Sequence, residues 1–265
     1  MITRNPIIVG VLNVTPDSFS DGGLYLSQEK ALEHARNLIA AGADIIDIGG
    51  QSTRPGSKPV SAVEEWERIS EPVSVLSKEC VVSVDTYYSS VAEKAISAGA
   101  KIINDISAGH DPEMFSLLAS EEAKIVIMFS RCLKPHEFGR PPARPLIETI
   151  KKFLLEKVDL AMRSGISEDQ IILDTGMGAF ISDHANDSVE VVRNYGAFAE
   201  LGFPLLFGCS RKGFTRIVGE KNISERDSVS ALFGCMAFLG VADRVPLYLR
   251  VHNVLMQLKM IRSVL

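Results

Sequence analysis

The chain has 265 residues, with 28 Lys and Arg against 33 Asp and Glu, a formal net charge of -5. At 46% hydrophobic and 23% charged it has the make-up of a globular protein, which excludes disordered, collagen-like and disulfide-scaffold classes. The acidic balance argues against a nucleic-acid partner, and no run of about 18 apolar residues predicts a membrane span. The opening Met1-Ile2-Thr3-Arg4-Asn5-Pro6 carries no targeting signature, so a cytoplasmic protein is expected. The four cysteines, Cys80, Cys132, Cys209 and Cys235, lack CxxC spacing and a histidine cluster, and read as small core residues.

Short runs of Ile, Val and Leu alternate with amphipathic stretches, the pattern of parallel strands covered on both faces. Strands are expected at Ile7–Leu12, Asp44–Ile48, Val81–Val84, Lys101–Asn104, Lys124–Met128, Gln170–Leu173, Pro204–Phe207 and Leu247–Leu249. Helix starts are signalled by Ser27 before the Ala31 stretch, Ser61 with Glu64, Asp111 followed by Pro112, Asp187 with Glu190, and Ser224. The motif Ala-Gly-Ala at Ala41–Ala43 and at Ala98–Ala100 ends a helix just before a strand, where glycine suits the C′ position. The irregular Ser130–Pro145 piece, with four prolines, reads as a surface loop rather than a boundary, so residues 1–265 form one domain. Eight such units build either a closed barrel or a doubly wound sheet. No GxGxxG follows the first strand, which favours an α/β fold of the single (β/α)8 TIM-barrel type.

In such a barrel the reacting groups sit at the C-terminal ends of the strands. Those ends carry Asn13, Asp47, Asp85, Asn104 and Asp174, then Ser210-Arg211-Lys212, then Arg250 and His252. Singly, an aspartate ending a strand is more often a cap or turn residue; the set together points to a site. Arg54, Arg211, Lys212, Arg250 and His252 form a cationic group suited to phosphate or diphosphate oxygens. Asp85, Asn104 and Asp174 suit a flat nitrogen heterocycle with adjacent ring N–H and amino groups, with a carboxylate cage for Mg²⁺ as the rival reading. Two Gly- and Pro-rich loops, Thr15–Gly23 and Gly49–Gly56, follow strands and are expected over the mouth.

Leu12-Asn13-Val14-Thr15-Pro16-Asp17-Ser18-Phe19-Ser20-Asp21-Gly22-Gly23 and Asp47-Ile48-Gly49-Gly50-Gln51-Ser52-Thr53-Arg54-Pro55-Gly56 resemble the two signatures of the dihydropteroate synthase family. Ser83-Val84-Asp85-Thr86, Ile103-Asn104-Asp105, Leu173-Asp174, Ser210-Arg211-Lys212 and Arg250-Val251-His252 follow in the family's order. The resemblance implies a homodimeric, Mg²⁺-assisted barrel that joins 6-hydroxymethyl-7,8-dihydropterin diphosphate to p-aminobenzoate in folate synthesis, releasing pyrophosphate. It implies Asp85, Asn104, Asp174 and Lys212 on the pterin. Asn13, Thr53, Arg54, Arg250 and His252 fall to the diphosphate, with Mg²⁺ near Asn13. Phe19, Thr53, Pro55 and Lys212 line the p-aminobenzoate slot, and Asp17, Ser210 and Arg211 count among the substrate-binding residues. The family is the target of sulfonamides.

The sequence departs from the family at Thr175, Phe129, Gln51 and Asn253, and the segment before Arg250 is long by about two residues, though Arg250 is still expected in the site. Met177–Ser182 resembles the sulfonamide-insensitive branch, whereas Ser52–Gly56 resembles sensitive members. Two other readings remain open here: a pterin-binding methyltransferase relative, and a paralogue that binds pterin without turnover.

Overall fold

The computed structural model describes residues 5–15, 23–53, 56–134, 136–139, 141–218, 222–241 and 243–265. Eight parallel strands close into a barrel: β1 (Ile7–Asn13), β2 (Ile45–Gly49), β3 (Val81–Asp85), β4 (Ile102–Asp105), β5 (Lys124–Met128), β8 (Ile171–Asp174), β9 (Leu205–Phe207) and β10 (Leu247–Val251). Each follows its sequence neighbour around the wall, and β1 pairs with β10 to seal it. Helices α1 (Gly23–Ala40), α2 (Ala62–Leu76), α3 (Ser89–Ser97), α4 (Met114–Ala119), α5 (Leu146–Arg163), α6 (Ala185–Arg193), α7 (Ile223–Val241) and α8 (Val254–Val264) follow the strands in turn.

The local signals explain much of this. The Ser61 hydroxyl accepts from the Glu64 N–H at 3.2 Å and starts α2 as its spacing predicts. The other helices begin a few residues from their expected caps. Asp187 lies inside the first turn of α6, where it pairs with Arg144, and Asp111 accepts from the Ser89 N–H at 2.8 Å. Cys209 and Cys235 are buried, Cys80 and Cys132 partly so, and all four are free thiols.

Strand alternation divides the barrel interior into layers. Val9, Ile45, Ile102, Val126, Ile172, Leu206 and Tyr248 form one apolar cluster that plugs the interior. Two residues further along the same strands stand Val11, Asp47, Asn104, Met128, Asp174, Gly208 and Arg250. The plug is therefore dry and the layer above it charged, a change of polarity over one pleat. Outward-facing residues pack beneath the helices in the larger cluster, which includes Ile8, Ile46, Val82, Ile103, Ile125 and Leu173.

Residues 130–145, expected as a surface loop, contain a short antiparallel hairpin, β6 (Cys132–Lys134) and β7 (Glu137–Phe138), that leans over the mouth.

Candidate active site

Arg250, on the last strand, reaches across the mouth to two carboxylates. Its Nε donates to Asp47 Oδ2 at 2.5 Å and its Nη2 to Asp85 Oδ2 at 2.8 Å. Asp47 is 1% exposed and also accepts from Ser83 Oγ at 2.5 Å and Asn104 Nδ2 at 3.2 Å. One carboxylate thereby ties β2, β3, β4 and β10 together. The segment before β10 does not displace Arg250 from the mouth.

Asn104 is 3% exposed, and its Oδ1 is buried without a hydrogen-bond partner among the described residues. A buried acceptor left open is costly unless a ligand supplies the donor. Asp174 stands on β8, where its Oδ1 accepts from the Gly176 N–H at 2.8 Å. That turn needs glycine: Gly176 has φ +66°, and a Cβ would lie 2.3 Å from the Phe129 carbonyl oxygen. Lys212 Nζ lies 5.0 Å from the centre of the Phe180 ring, a cation–π contact.

The electrostatics follow from placing three carboxylates and two cations in one dry mouth. Burial pushes the Asp85 carboxyl up to about 7, with Arg250 opposing and Asp47 reinforcing the rise. Burial also raises Asp174, opposed by Lys212 and the Gly176 N–H. Burial lowers the Lys212 ammonium and Arg250 adds to this, while Asp174 holds it up. For Arg250 burial acts downward, but Asp47 and Asp85 outweigh it and keep the guanidinium charged.

The other expected residues divide. Ser210 Oγ is 2.9 Å from His252 Nδ1 and accepts the His252 N–H at 3.1 Å, so Ser210 orients the histidine beside β10. Arg211, expected on substrate, is instead committed to Asp227 through Nε at 2.7 Å and Nη2 at 2.8 Å. Its φ of +57° turns the backbone there, which separates its side chain from that of the adjacent Lys212. Asn13 ends β1 opposite Gly49, and Thr53 lines a cavity of about 120 Å³ with Phe180, Ser130 and His136. Asp17, Phe19, Arg54 and Pro55 lie outside the described residues. The family departures are absorbed locally. Phe129 is buried edge-on against Phe153, Thr175 is buried, and Asn253 caps α8 by accepting the Met256 N–H at 3.0 Å.

Sequence reasoning gave Asp47 no partner and did not point to Glu65. Asp47 was visible as a strand-end acid, but its pairing with Arg250, 203 residues away, was not. Glu65 on α2 is 0% exposed under the second loop. Its Oε2 accepts from Thr86 Oγ1 at 3.0 Å and Gln51 Nε2 at 3.5 Å, and its Oε1 has no hydrogen-bond partner among the described residues. Gly50 permits this approach, since a Cβ there would meet the Glu65 carbonyl at 2.9 Å. The helical stripe Glu65, Ile69, Pro72, Val73 and Leu76 carried the signal, because it puts the acid on the apolar face.

Burial pushes Glu65 up to about 8, against the hydrogen bonds from Thr86 and Gln51 and with Asp85 adding to the rise. Between the unfolded value of 4.5 and about 8 the folded state then binds more protons, so ionisation costs stability as pH rises. Wild type is expected to lose up to about 1 kcal/mol per pH unit from this group across that window. Glu65→Gln, which mimics the neutral acid, removes that slope; thermal melts from pH 5 to pH 9 with parallel slopes would refute it.

The fold is a closed parallel barrel whose mouth gathers buried carboxylates, one open carboxamide oxygen and a guanidinium that crosses between them. Residues 9–252 match the profile of the pterin binding enzyme family. The chain is 42% identical over 251 residues to the dihydropteroate synthase of Bacillus subtilis, covering 94% of this chain and 84% of that one. A Clostridium difficile dihydropteroate synthase solved in the presence of pteroic acid superposes with TM-score 0.89 at 33% identity, covering 98% of this chain and 95% of the other. A Xanthomonas albilineans dihydropteroate synthase with 4-aminobenzoic acid gives TM-score 0.87 at 33% identity, covering 97% and 91%. The chain belongs to the pterin binding enzyme family. Its activity is that of the dihydropteroate synthases, transferases that condense a pterin diphosphate with p-aminobenzoate.

Proposed function

We propose the following division of labour for that reaction. Asp85, Asn104, Asp174 and Lys212 hold the pterin of 6-hydroxymethyl-7,8-dihydropterin diphosphate, and the open Asn104 Oδ1 carries this assignment. An adjacent ring N–H and amino group would satisfy it together with the neighbouring carboxylates. Arg250 uses two of its five N–H groups on Asp47 and Asp85, and the remaining three are available to diphosphate oxygens beside His252.

The chemistry needs no nucleophilic side chain. The bond from the pterin methylene carbon to the bridging oxygen breaks, with its electron pair leaving on pyrophosphate. The amino nitrogen of p-aminobenzoate attacks the electron-poor methylene and then loses a proton to water or to the departing pyrophosphate. Asp85 and Asp174 favour positive charge on the pterin, and Arg250 with His252 favours the negative charge developing on the leaving group. Asn13 would offer Mg²⁺ a neutral carboxamide oxygen, with water and substrate phosphates as the ligands such an ion ordinarily adds. When bound it neutralises charge on the leaving pyrophosphate.

The p-aminobenzoate slot falls to Thr53 and Lys212 with Phe19 and Pro55. A sulfonamide presents the same para-aminoaryl group with a sulfonyl in place of carboxylate, so it is expected to compete with p-aminobenzoate and not with the pterin. Inhibition uncompetitive or absent at millimolar concentration would remove the second-loop assignment.

A homodimer is the reading favoured by the outer face of α7 and α8. Leu232, Met236 and Leu239 on α7 and Leu255 on α8 are exposed, whereas Val254 and Ile261 are spent on barrel packing. Sedimentation equilibrium should give twice the 28.9 kDa chain mass, and a monomer would refute it. Among the described residues no helix is long and apolar enough to cross a membrane.

A further inference from the structure

The segment after β5 is attached at both of its ends to loops of the mouth. At its base, the Arg131 N–H donates to the Phe180 carbonyl at 2.8 Å and its Nε to the Ala179 carbonyl at 2.7 Å. Its Nη1 donates to the Gly139 carbonyl at 3.0 Å and its Nη2 to Asp183 at 2.5 Å. Those contacts staple the hairpin to the loop that follows β8. At its tip His136 reaches the second loop: Nδ1 lies 3.2 Å from Ser57 Oγ and Nε2 lies 3.3 Å from Gln51 Oε1. The Tyr87 ring stands edge-on at 6.1 Å, and its hydroxyl donates to the same Gln51 oxygen at 3.1 Å. A neutral imidazole carries one N–H, so Nε2 donates to Gln51 Oε1 and Nδ1 accepts from the Ser57 hydroxyl, whose oxygen also lies 2.6 Å from the Ser52 carbonyl oxygen.

One imidazole thus bridges the beginning and the end of the loop that contains Thr53. The backbone confirms that this position is constrained: His136 has φ +68°, a conformation that a side chain with Cβ adopts at a cost. A turn alone would be served better by glycine. The hairpin, Thr53 and Phe180 also wall the same cavity, and Phe180 is the ring beneath Lys212 Nζ.

We propose that the hairpin after β5 is a brace for the second loop and that His136 is its positioning residue, setting affinity for the arylamine without taking part in the reaction. This rests on the reading that the second loop holds p-aminobenzoate. The partners of His136 are Gln51 and Ser57, and neither belongs to the groups given to pterin or diphosphate. Losing the brace lowers the fraction of molecules whose second loop is in place, and apparent affinity falls by that fraction. Molecules that do bind p-aminobenzoate have the same reacting groups around it, so turnover at saturation is unchanged.

The test compares His136→Gly, which suits the positive φ and removes the ring, with His136→Asn, which tolerates that φ and keeps one donor and one acceptor. For His136→Gly the KM for p-aminobenzoate should rise about tenfold, the loss of one to two net hydrogen bonds. Its kcat should stay within about twofold, and affinity for the pterin diphosphate should not move. His136→Asn should recover part of the affinity. Adding Ser57→Ala to His136→Gly should cost less than the sum of the two changes, because both cut the same contact. An independent readout is amide hydrogen exchange over residues 50–57 in the free protein, expected to quicken in His136→Gly while the barrel strands keep their protection. Unchanged exchange there overturns the brace whether or not p-aminobenzoate is the substrate. A fall in kcat, pterin affinity and strand protection together would mean that His136 only supports the fold. Failure of wild type to use p-aminobenzoate, with exchange altered as expected, would fault the substrate reading and leave the brace standing.

Discussion

Arg250→Ala is expected to lower kcat/KM by about 10²–10³-fold, the range found when a preorganised donor to developing negative charge is removed. It should also destabilise the barrel, because Asp47 at 1% exposure and Asp85 lose the cation that bridges them. Breaking a buried pair from one side costs about 3–5 kcal/mol, since the surviving charge is left uncompensated. The loss depends on pH with a definite sign. Arg250 opposes the rise of Asp85, which already stands at about 7, so without it Asp85 takes a proton more readily. The variant is therefore less destabilised at pH 6 than at pH 8, where the unpaired carboxyl is forced to ionise. Arg250→Lys does not restore activity: a point charge cannot span two carboxylates and still present three N–H groups to diphosphate. Steady-state kinetics and thermal melts at the two pH values measure both effects. Near-normal kcat/KM in Arg250→Ala would remove the guanidinium from the reaction.

Lys212→Ala is expected to reduce kcat/KM by about 10²-fold while leaving the fold intact, with the larger share in the KM for the pterin substrate. The ammonium is partly buried, over the Phe180 ring, and it favours the ionised form of Asp174. Without it the upward push of burial on Asp174 is less opposed, so the carboxyl keeps its proton to higher pH and is a poorer charged acceptor for the heterocycle. The residual activity of Lys212→Ala should therefore climb with pH more steeply than that of wild type. Because burial already works against the Lys212 charge, its removal costs little stability, unlike that of Arg250. A variant with wild-type pterin KM, or one that loses its melting transition, contradicts this placement.

The contrast between these two cations marks what can be read from sequence. All eight strands were legible, because doubly covered strands are short apolar runs with turn residues between them. The ends at Met128 and Phe207 were drawn correctly, but five strands run one residue further, through Asn13, Gly49, Asp85, Asp105 and Asp174, and the last runs two further to Val251. Asn13, Asp85 and Asp174 among them belong to the polar rim, so there the error and the site coincide. Asp85, Asn104, Asp174 and Arg250 were legible as residues of the barrel mouth because each stands at the end of a strand or one residue before it. The Arg211–Asp227 pair was not legible, because adjacency in Ser210-Arg211-Lys212 does not reveal a positive φ or a partner on the next helix. The Asp47–Arg250 pair joins the second strand to the last, and only closure of the barrel brings them together. His136 was missed for a similar reason: the proline-rich segment carries no pattern that points at Gln51, 85 residues earlier.

The central claim is that a mouth with no nucleophile condenses two substrates by stabilising charge on both sides of one breaking bond. The most direct test supplies purified protein with 6-hydroxymethyl-7,8-dihydropterin diphosphate and Mg²⁺, with and without p-aminobenzoate, and follows pyrophosphate release while dihydropteroate is identified by mass. The account predicts equimolar pyrophosphate and dihydropteroate when both substrates are present, and loss of turnover when a chelator removes Mg²⁺. Pterin binding without dihydropteroate would contradict it, and would mean that the changes at Phe129 and Thr175 have left a barrel that holds the heterocycle but does not complete the transfer.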